Sequence, residues 1–312
     1  MEMLSAILPF FTAGLIGTVF ARFTGMNMSM CVLLILLYRG ARPVEAVVAM
    51  LIFNVFTYFT VYSQIHIMRL KDFVIFPGVR IAIPVLLTVA LAALNPFFGI
   101  IFFVIVFLLE IFVKMYKEMD VKVRPSKQKL IQMCIAAGIL LSVGAVVAAF
   151  IPDQYYYLLV SIAILGFAAL MWSAGDRRKW GHIWDKILYG TVLVTGLTGI
   201  DATDWLVPMR RSNESNLSRC YPIVINAAMI IGLIVLYALY HYFSLGALFT
   251  TIGAAVGIRL FGLYEHSHKS GFSYVTLGLT VLVVLIFMLV QPEATGFPVI
   301  PMADQGTSFF NF

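Results

Sequence analysis

Five ionisable residues of this 312-residue chain stand out among those inside or beside apolar segments, where a charge is costly to hold. Three of them, Arg22, Arg80 and Arg259, present planar guanidinium groups that bind an oxyanion through two hydrogen bonds. We expect them to hold a small anion. The alternative is that they pair with the two acidic residues, Asp201 and Asp204, or extend their side chains to a membrane interface.

The two aspartates lie three residues apart, so on a helical turn both carboxylates share one face. Two like charges this close in an apolar medium favour a proton on one of them, which suits proton coupling. The alternative is that an aspartate caps a helix, a position that this residue type favours. Asp201 and Asp204 are therefore candidate coupling residues.

Two short polar interruptions, each built around Thr-Gly, break otherwise apolar stretches: Thr24-Gly25-Met26-Asn27 and Thr198-Gly199-Ile200-Asp201. An asparagine, Asn54 or Asn226, follows each interruption inside the next long apolar segment. Amide and hydroxyl groups at such places either bind a solute or form hydrogen bonds between helices. We predict solute binding by Thr24, Gly25, Asn27, Asn54, Thr198, Gly199 and Asn226, together with the three arginines.

Composition excludes an ordinary soluble protein, because 62% of the residues are hydrophobic and 12% are charged. The net charge of +6 indicates membrane topology rather than nucleic-acid binding, since the basic residues fall in short loops between apolar segments. The three cysteines, Cys31, Cys134 and Cys220, lack the spacing of a zinc site or a disulfide framework. No cofactor is predicted.

Apolar runs of about 17 to 25 residues predict eight transmembrane helices: 43–64, 73–91, 94–116, 130–150, 155–172, 220–243, 246–263 and 273–291. The interrupted regions, 4–39 and 187–209, are predicted as re-entrant hairpins, since the piece 187–199 reaches only about 20 Å, well short of the hydrocarbon core of about 30 Å. The fold class is therefore an all-α polytopic membrane protein. Tyr155, Tyr156 and Tyr157 are predicted to belong to an aromatic belt at the interface.

Placing the Lys- and Arg-rich loops in the cytoplasm predicts a multi-pass protein of the cytoplasmic membrane with both termini extracytoplasmic. We expect no removable signal peptide, since the first residues lack a basic region and a small-residue cleavage pattern. In this topology the two hairpins enter from opposite sides. The chain then divides into a first repeat half (1–116), a linking helix pair (117–182) and an inverted second half with an extracytoplasmic tail (183–312). Interrupted segments at matching positions of inverted halves indicate a transport site near the membrane midplane.

The glycine-broken hairpin, the long helix after it, and the later step Gly253-Ala254-Ala255-Val256-Gly257-Ile258-Arg259 resemble the TauE/SafE (TSUP) family of sulfite and organosulfonate exporters. Family members usually carry a glycine run and an apolar-Pro step in each hairpin. Here the second hairpin keeps Leu206-Val207-Pro208, whereas the first has neither feature. The resemblance implies that the transported anion contains sulfur, as in a sulfonate or sulfite.

The sequence thus predicts a secondary transporter of a small anion, embedded in membrane lipid, that works by alternating access and binds no nucleic acid. Whether it forms a homodimer is left open. One alternative is a membrane enzyme acting on a lipid-linked phosphate, with Asp201 and Asp204 holding Mg²⁺ and Arg210 and Arg211 holding the phosphate. The other alternative is an anion channel.

Overall fold

The computed structural model describes residues 2–24, 26–66, 79–94, 96–119, 124–173, 184–201, 220–240, 245–261, 274–290 and 296. Over these residues the protein is all-helical, with eleven α-helices and no strand. The helices are α1 Glu2–Thr24, α2 Met28–Tyr38, α3 Pro43–His66, α4 Val79–Leu94, α5 Pro96–Glu118, α6 Lys127–Phe150, α7 Asp153–Ser173, α8 Trp184–Thr198, α9 Tyr221–Tyr240, α10 Leu245–Phe261 and α11 Tyr274–Val290.

One helix occupies each of the eight uninterrupted apolar runs, namely α3 to α7 and α9 to α11, so the predicted helix positions agree with the structure. Three helical segments of the described chain are long and apolar enough to cross a bilayer: Phe98–Lys117, Lys127–Phe150 and Tyr221–Tyr240. They indicate a membrane protein. Eight complete crossings and the orientation of the termini stay predictions.

The outward face of α6 is apolar along its length. Five residues spaced four apart on this helix are each between 45% and 59% exposed: Ile131, Ile135, Ile139, Val143 and Val147. Residues at this spacing lie on one side of a helix. A continuous exposed stripe of branched aliphatic side chains is expected against lipid rather than against water.

The chain divides into two compact units. The first contains Met1–Asn54 and Pro125–Pro301, and the second contains Val55–Arg124 and Met302–Phe312. The boundary falls within α3, after Asn54. In the second unit, α4 packs on α5, and a side chain added at Gly99 would come within 2.5 Å of the Ala92 Cβ. Each of the interruptions predicted from the sequence belongs to the first unit.

In the first unit, α1 and α10 cross with their backbones in contact. A side chain at Gly14 of α1 would overlap the Thr250 carbonyl oxygen, and one at Gly253 of α10 would overlap the Phe11 carbonyl oxygen. Small residues allow such close approach of helices in membranes. Gly253, the first glycine of the motif that resembles the exporter family, therefore packs α10 onto α1.

The pair α6 and α8 crosses in the same way. Gly144 of α6 lies against the Leu193 carbonyl oxygen, and Gly196 of α8 lies against the carbonyl oxygen of Leu141. In both crossings each glycine contacts the carbonyl three residues before the glycine of the other helix. We call these two contacts the glycine seams.

Two helices of the first unit are enclosed by protein over about three turns. All residues from 46 to 54 of α3 are buried, and so are those from 220 to 230 at the start of α9, except Ala227, which is partly exposed. A helix that is apolar on every side is an interior helix. Each of these enclosed stretches contains one asparagine, Asn54 or Asn226.

Candidate functional site

The first interruption separates α1 from α2. The α1 helix ends at Thr24, and α2 begins at Met28 with Asn27 in an extended conformation as its N-cap. The Asn27 Oδ1 accepts hydrogen bonds from the Ser29 N–H at 2.8 Å, the Met30 N–H at 3.4 Å and the Ser29 hydroxyl at 2.6 Å. Its own side chain therefore occupies two N–H groups that an anion could otherwise have used.

The second interruption follows α8. This helix of 15 residues ends at Thr198, and at about 1.5 Å per residue it is too short for a bilayer core of about 30 Å. Gly199 adopts a left-handed conformation with φ of +77°, and its N–H donates to the Thr195 carbonyl at 2.7 Å. Ile200 and Asp201 are not helical. The return arm of the predicted hairpin, with Asp204, lies outside the described residues.

The two interruptions contact each other. The Asn27 Nδ2 donates to the Asp201 carbonyl oxygen at 3.3 Å, and the Asp201 N–H donates to the Ser29 Oγ at 3.0 Å. These bonds join positions more than 170 residues apart in the chain. Residues at the start of α2 thus bond both main-chain groups of Asp201, its carbonyl oxygen through Asn27 and its N–H through Ser29.

Two more helices hold the same stretch of backbone. The Asn54 Nδ2 of α3 donates to the Gly199 carbonyl oxygen at 2.9 Å, and the Tyr156 hydroxyl of α7 donates to the Thr198 carbonyl oxygen at 3.2 Å. Both bonds are buried. Carbonyls at the end of a helix lack partners within the helix, so side chains must satisfy them in an apolar interior. We call Asn27, Ser29, Asn54, Tyr156 and Thr198–Asp201 the break contact.

Only glycine suits position 199. A Cβ there would lie 2.6 Å from the Cβ of Met50 and 3.5 Å from the Cα of Val47, and the positive φ is itself unfavourable for other residues. Val47, Met50 and Asn54 follow one another at three and four residues, which places them on one face of α3. That face therefore combines a steric fit to Gly199 with a hydrogen bond to its carbonyl.

Asn226 differs from every residue of the break contact. Its side chain is 0% exposed, and neither Nδ2 nor Oδ1 has a hydrogen-bond partner in the described chain. The Tyr157 hydroxyl is likewise buried without a hydrogen bond, although the Tyr157 ring packs edge-on against that of Phe287 at 5.6 Å. Asn226 is thus a buried amide whose hydrogen-bonding capacity is unused in this conformation.

The structure brings together Asn27, Asn54, Thr198, Gly199 and Asp201 of the predicted site residues. Asp201 is 6% exposed, and Arg22 is half-buried in the last turn of α1. The backbones of Thr24, Arg80 and Arg259 lie in α1, α4 and α10, but their side chains are outside the description, as are Gly25 and Asp204 altogether. The assignment of all these residues to solute binding or coupling stays a prediction.

Two residues of the break contact were not predicted from the sequence. Ser29 stands two positions after the N-cap asparagine, and no local sequence pattern identifies its partner 172 residues away. Tyr156 was expected in an interfacial belt, and that expectation is wrong, because its side chain is 0% exposed whereas that of Tyr155 is 65% exposed. The helical offset between neighbouring tyrosines decides which of them points inward.

In comparisons with known proteins, no family model, no curated protein and no solved structure matches this chain. The resemblance to the TauE/SafE family therefore rests on the sequence motifs alone.

Proposed function

We propose that the protein is a secondary transporter that moves a small anion across the cytoplasmic membrane by alternating access, at the break contact. The observation that carries this proposal is the pair of hydrogen bonds between the two interruptions, from Asn27 to the Asp201 carbonyl and from the Asp201 N–H to Ser29. Non-helical backbone at membrane depth is tolerated where protein buries it or where it lines a solute path.

The break contact suits a conformational change because its hydrogen bonds are few and are confined to one small region of the structure. Four side chains, those of Asn27, Ser29, Asn54 and Tyr156, hold the end of α8 and the residues after it. Interhelical hydrogen bonds in membranes contribute about 0.6 kcal/mol each on average. Separating the two interruptions therefore requires little energy relative to unpacking whole helices.

The glycine seams support the same mechanism by providing stiff elements on both sides of the contact. Backbone contact fixes α1 on α10 and α6 on α8. We propose that motion occurs between such pairs rather than within them. The inverted relation between residues 1–116 and 183–312, and eight full crossings, belong to this proposal.

The nature of the solute is proposed from the sequence. Arg22, Arg80 and Arg259 are the cationic groups that we expect to attract an anion, and the resemblance to sulfite and organosulfonate exporters suggests a sulfur-containing one. The carboxylate of Asp201 is the proposed proton-coupling group because it is buried at the break contact.

The test is flux in proteoliposomes that contain the purified protein, with radiolabelled sulfite and methanesulfonate as probes. We expect saturable uptake with counterflow, and loss of most of it in Asn54→Leu, which cannot hold the Gly199 carbonyl. Thr280→Val is the matched control, since it removes only a buried bond within α11, from the Thr280 hydroxyl to Thr276 at 2.7 Å. Flux without saturation would indicate a channel. Failure of both probes and of other small anions would refute the proposal.

Charge-neutral variants test the assigned roles within this function. We expect Arg22→Gln or Arg80→Gln to abolish uptake with folding intact, and full activity in both would remove the anion-site assignment. We expect Asp201→Asn to abolish flux driven by a pH gradient and to spare solute exchange. An unchanged response to the gradient would eliminate proton coupling through Asp201.

A further inference from the structure

The strongest unused feature of the first unit is the side chain of Asn226. It lies in the fully buried stretch at the start of α9, and both its polar atoms are without hydrogen bonds in the described chain. Leaving an amide unsatisfied in an apolar interior destabilises the conformation that contains it, whereas an aliphatic side chain at this place would carry no such cost. We therefore expect the Asn226 amide to form its hydrogen bonds with a bound ligand.

The helices around Asn226 supply no such partner in this conformation. The α9 helix packs on α6 and α8, and the glycines on these surfaces meet aliphatic groups: Gly138 lies against Ile231, and Gly232 lies against Leu141 and Leu51. Helical backbone carbonyls are already bonded within their own helices. Asn54, the corresponding amide in α3, has its partner because the Gly199 carbonyl belongs to an interrupted helix.

The chemistry of a primary amide defines what would satisfy it. The Nδ2 group donates and the Oδ1 atom accepts, and the two project side by side in one plane. A fully ionised sulfonate offers only acceptors, so it would satisfy the NH₂ group and leave Oδ1 unpaired. A monoprotonated oxyanion offers an O–H beside an oxygen acceptor and satisfies both.

We propose that Asn226 binds the transported solute and selects an oxyanion that carries one O–H, such as hydrogensulfite in its O-protonated form or a monoprotonated phosphonate. This inference rests on the proposed transport function and deepens it by naming the protonation state of the solute. Retaining the proton also lowers the charge that must leave water. Since the amide is sealed in this conformation, the solute reaches it when the packing around α9 opens.

Methylphosphonate and methanesulfonate form a matched pair of probes, because their monoanions have similar shapes and the same charge but differ in the central atom, so that only the methylphosphonate monoanion carries an O–H. In the purified full-length protein in nanodiscs, we expect the methylphosphonate monoanion to bind about tenfold more tightly than methanesulfonate, the typical effect of one buried hydrogen bond. Raising the pH until methylphosphonate becomes a dianion should abolish this preference. Methanesulfonate, which has no proton to lose, reports any titration of the protein itself.

Asn226→Leu should bring the affinity ratio of the two probes to about one. Ser142→Ala is the control and should leave the ratio unchanged, because it removes only the hydrogen bond from the Ser142 hydroxyl to the Gly138 carbonyl within α6. Equal binding of both monoanions to the natural protein, or a preference that survives Asn226→Leu, would overturn the inference. The pH series needs no variant, so the inference stays testable if Asn226→Leu does not fold. Anion flux without the preference would refute this inference alone, whereas the preference without any flux would refute the proposed transport function.

Discussion

Asn54 and Asn226 occupy comparable places in two different helices, and only one of them forms a hydrogen bond. Each lies in a stretch of helix that is buried on all sides, with exposures of 1% and 0%. The Asn54 amide donates to the Gly199 carbonyl at 2.9 Å, while the Asn226 amide has no hydrogen-bond partner in the described chain. The same functional group therefore has opposite effects on the stability of this conformation.

The difference shows what an interrupted helix provides to its neighbours. Carbonyl oxygens inside a helix are committed to N–H groups four residues later, whereas those at its end are free for other donors. The end of α8 offers the carbonyls of Thr198, Gly199 and Asp201, and each receives a side-chain donor. A buried polar side chain is thus stabilising in this fold where it lies within hydrogen-bonding distance of the free backbone groups at an interrupted helix.

The largest effect is expected for Gly199→Ala, which disturbs the contact between Gly199 and α3 on which the Asn54 hydrogen bond depends. The new Cβ would lie 2.6 Å from the Met50 Cβ in a backbone with φ of +77°. We expect a loss of about 2 to 4 kcal/mol in the free energy of unfolding, measured by denaturation in mixed micelles.

Gly190→Ala within α8 is the control for Gly199→Ala just after that helix, because a Cβ at Gly190 would meet no atom of the described chain within 4 Å beyond its own stretch of helix. It should be neutral or stabilising. Equal effects at the two positions would show that the close fit of Gly199 to α3 is unimportant.

Asn54→Leu should destabilise the protein by about 1 to 3 kcal/mol, because the buried Gly199 carbonyl then has no donor. Thermal unfolding in detergent measures the change, with Thr280→Val as control. Stability within error of that control would mean that the Asn54 bond contributes nothing.

Asn226→Leu is expected to act in the opposite direction and to raise the stability of this conformation by about 1 kcal/mol, since it removes an unsatisfied amide. The same unfolding assay applies, run without added anions. A marked destabilisation would show that the amide does have a partner in the resting protein, and the contrast with Asn54 would disappear.

The smallest effect is expected for Tyr156→Phe, which removes the 3.2 Å bond to the Thr198 carbonyl and should cost about 0.5 kcal/mol because this bond is long. Tyr157→Phe is its neighbour and control, because the Tyr157 hydroxyl forms no hydrogen bond in the described chain. The two variants should differ in melting temperature, with Tyr157→Phe unchanged or more stable.

The sequence predicts the positions of α3 to α7 and α9 to α11 well because each of these helices coincides with one continuous run of apolar residues. The prediction of 130–150 corresponds to α6 at Lys127–Phe150, and that of 220–243 corresponds to α9 at Tyr221–Tyr240. The ends of α1 and α8 were likewise predictable, since Thr-Gly followed by polar residues interrupts an apolar stretch. These features depend on residues close together in the chain.

The contacts of the site were not predictable in the same way. Ser29 and Asp201, or Tyr156 and Thr198, meet because of helix packing, and no local pattern announces which distant backbone group a side chain will reach. The sequence likewise does not show that the Asn27 side chain accepts hydrogen bonds from the first N–H groups of α2. Long-range pairing is set by the fold rather than by spacing.

The glycine seams impose a rule on how this protein can vary. Main chain rests on main chain where α1 crosses α10 and where α6 crosses α8, so no rotamer at the crossing can yield to an added methyl group. A larger residue at Gly14, Gly253, Gly144 or Gly196 therefore forces the two helices apart. Variation in this protein is therefore expected to spare these four glycines, whatever changes elsewhere in the helices.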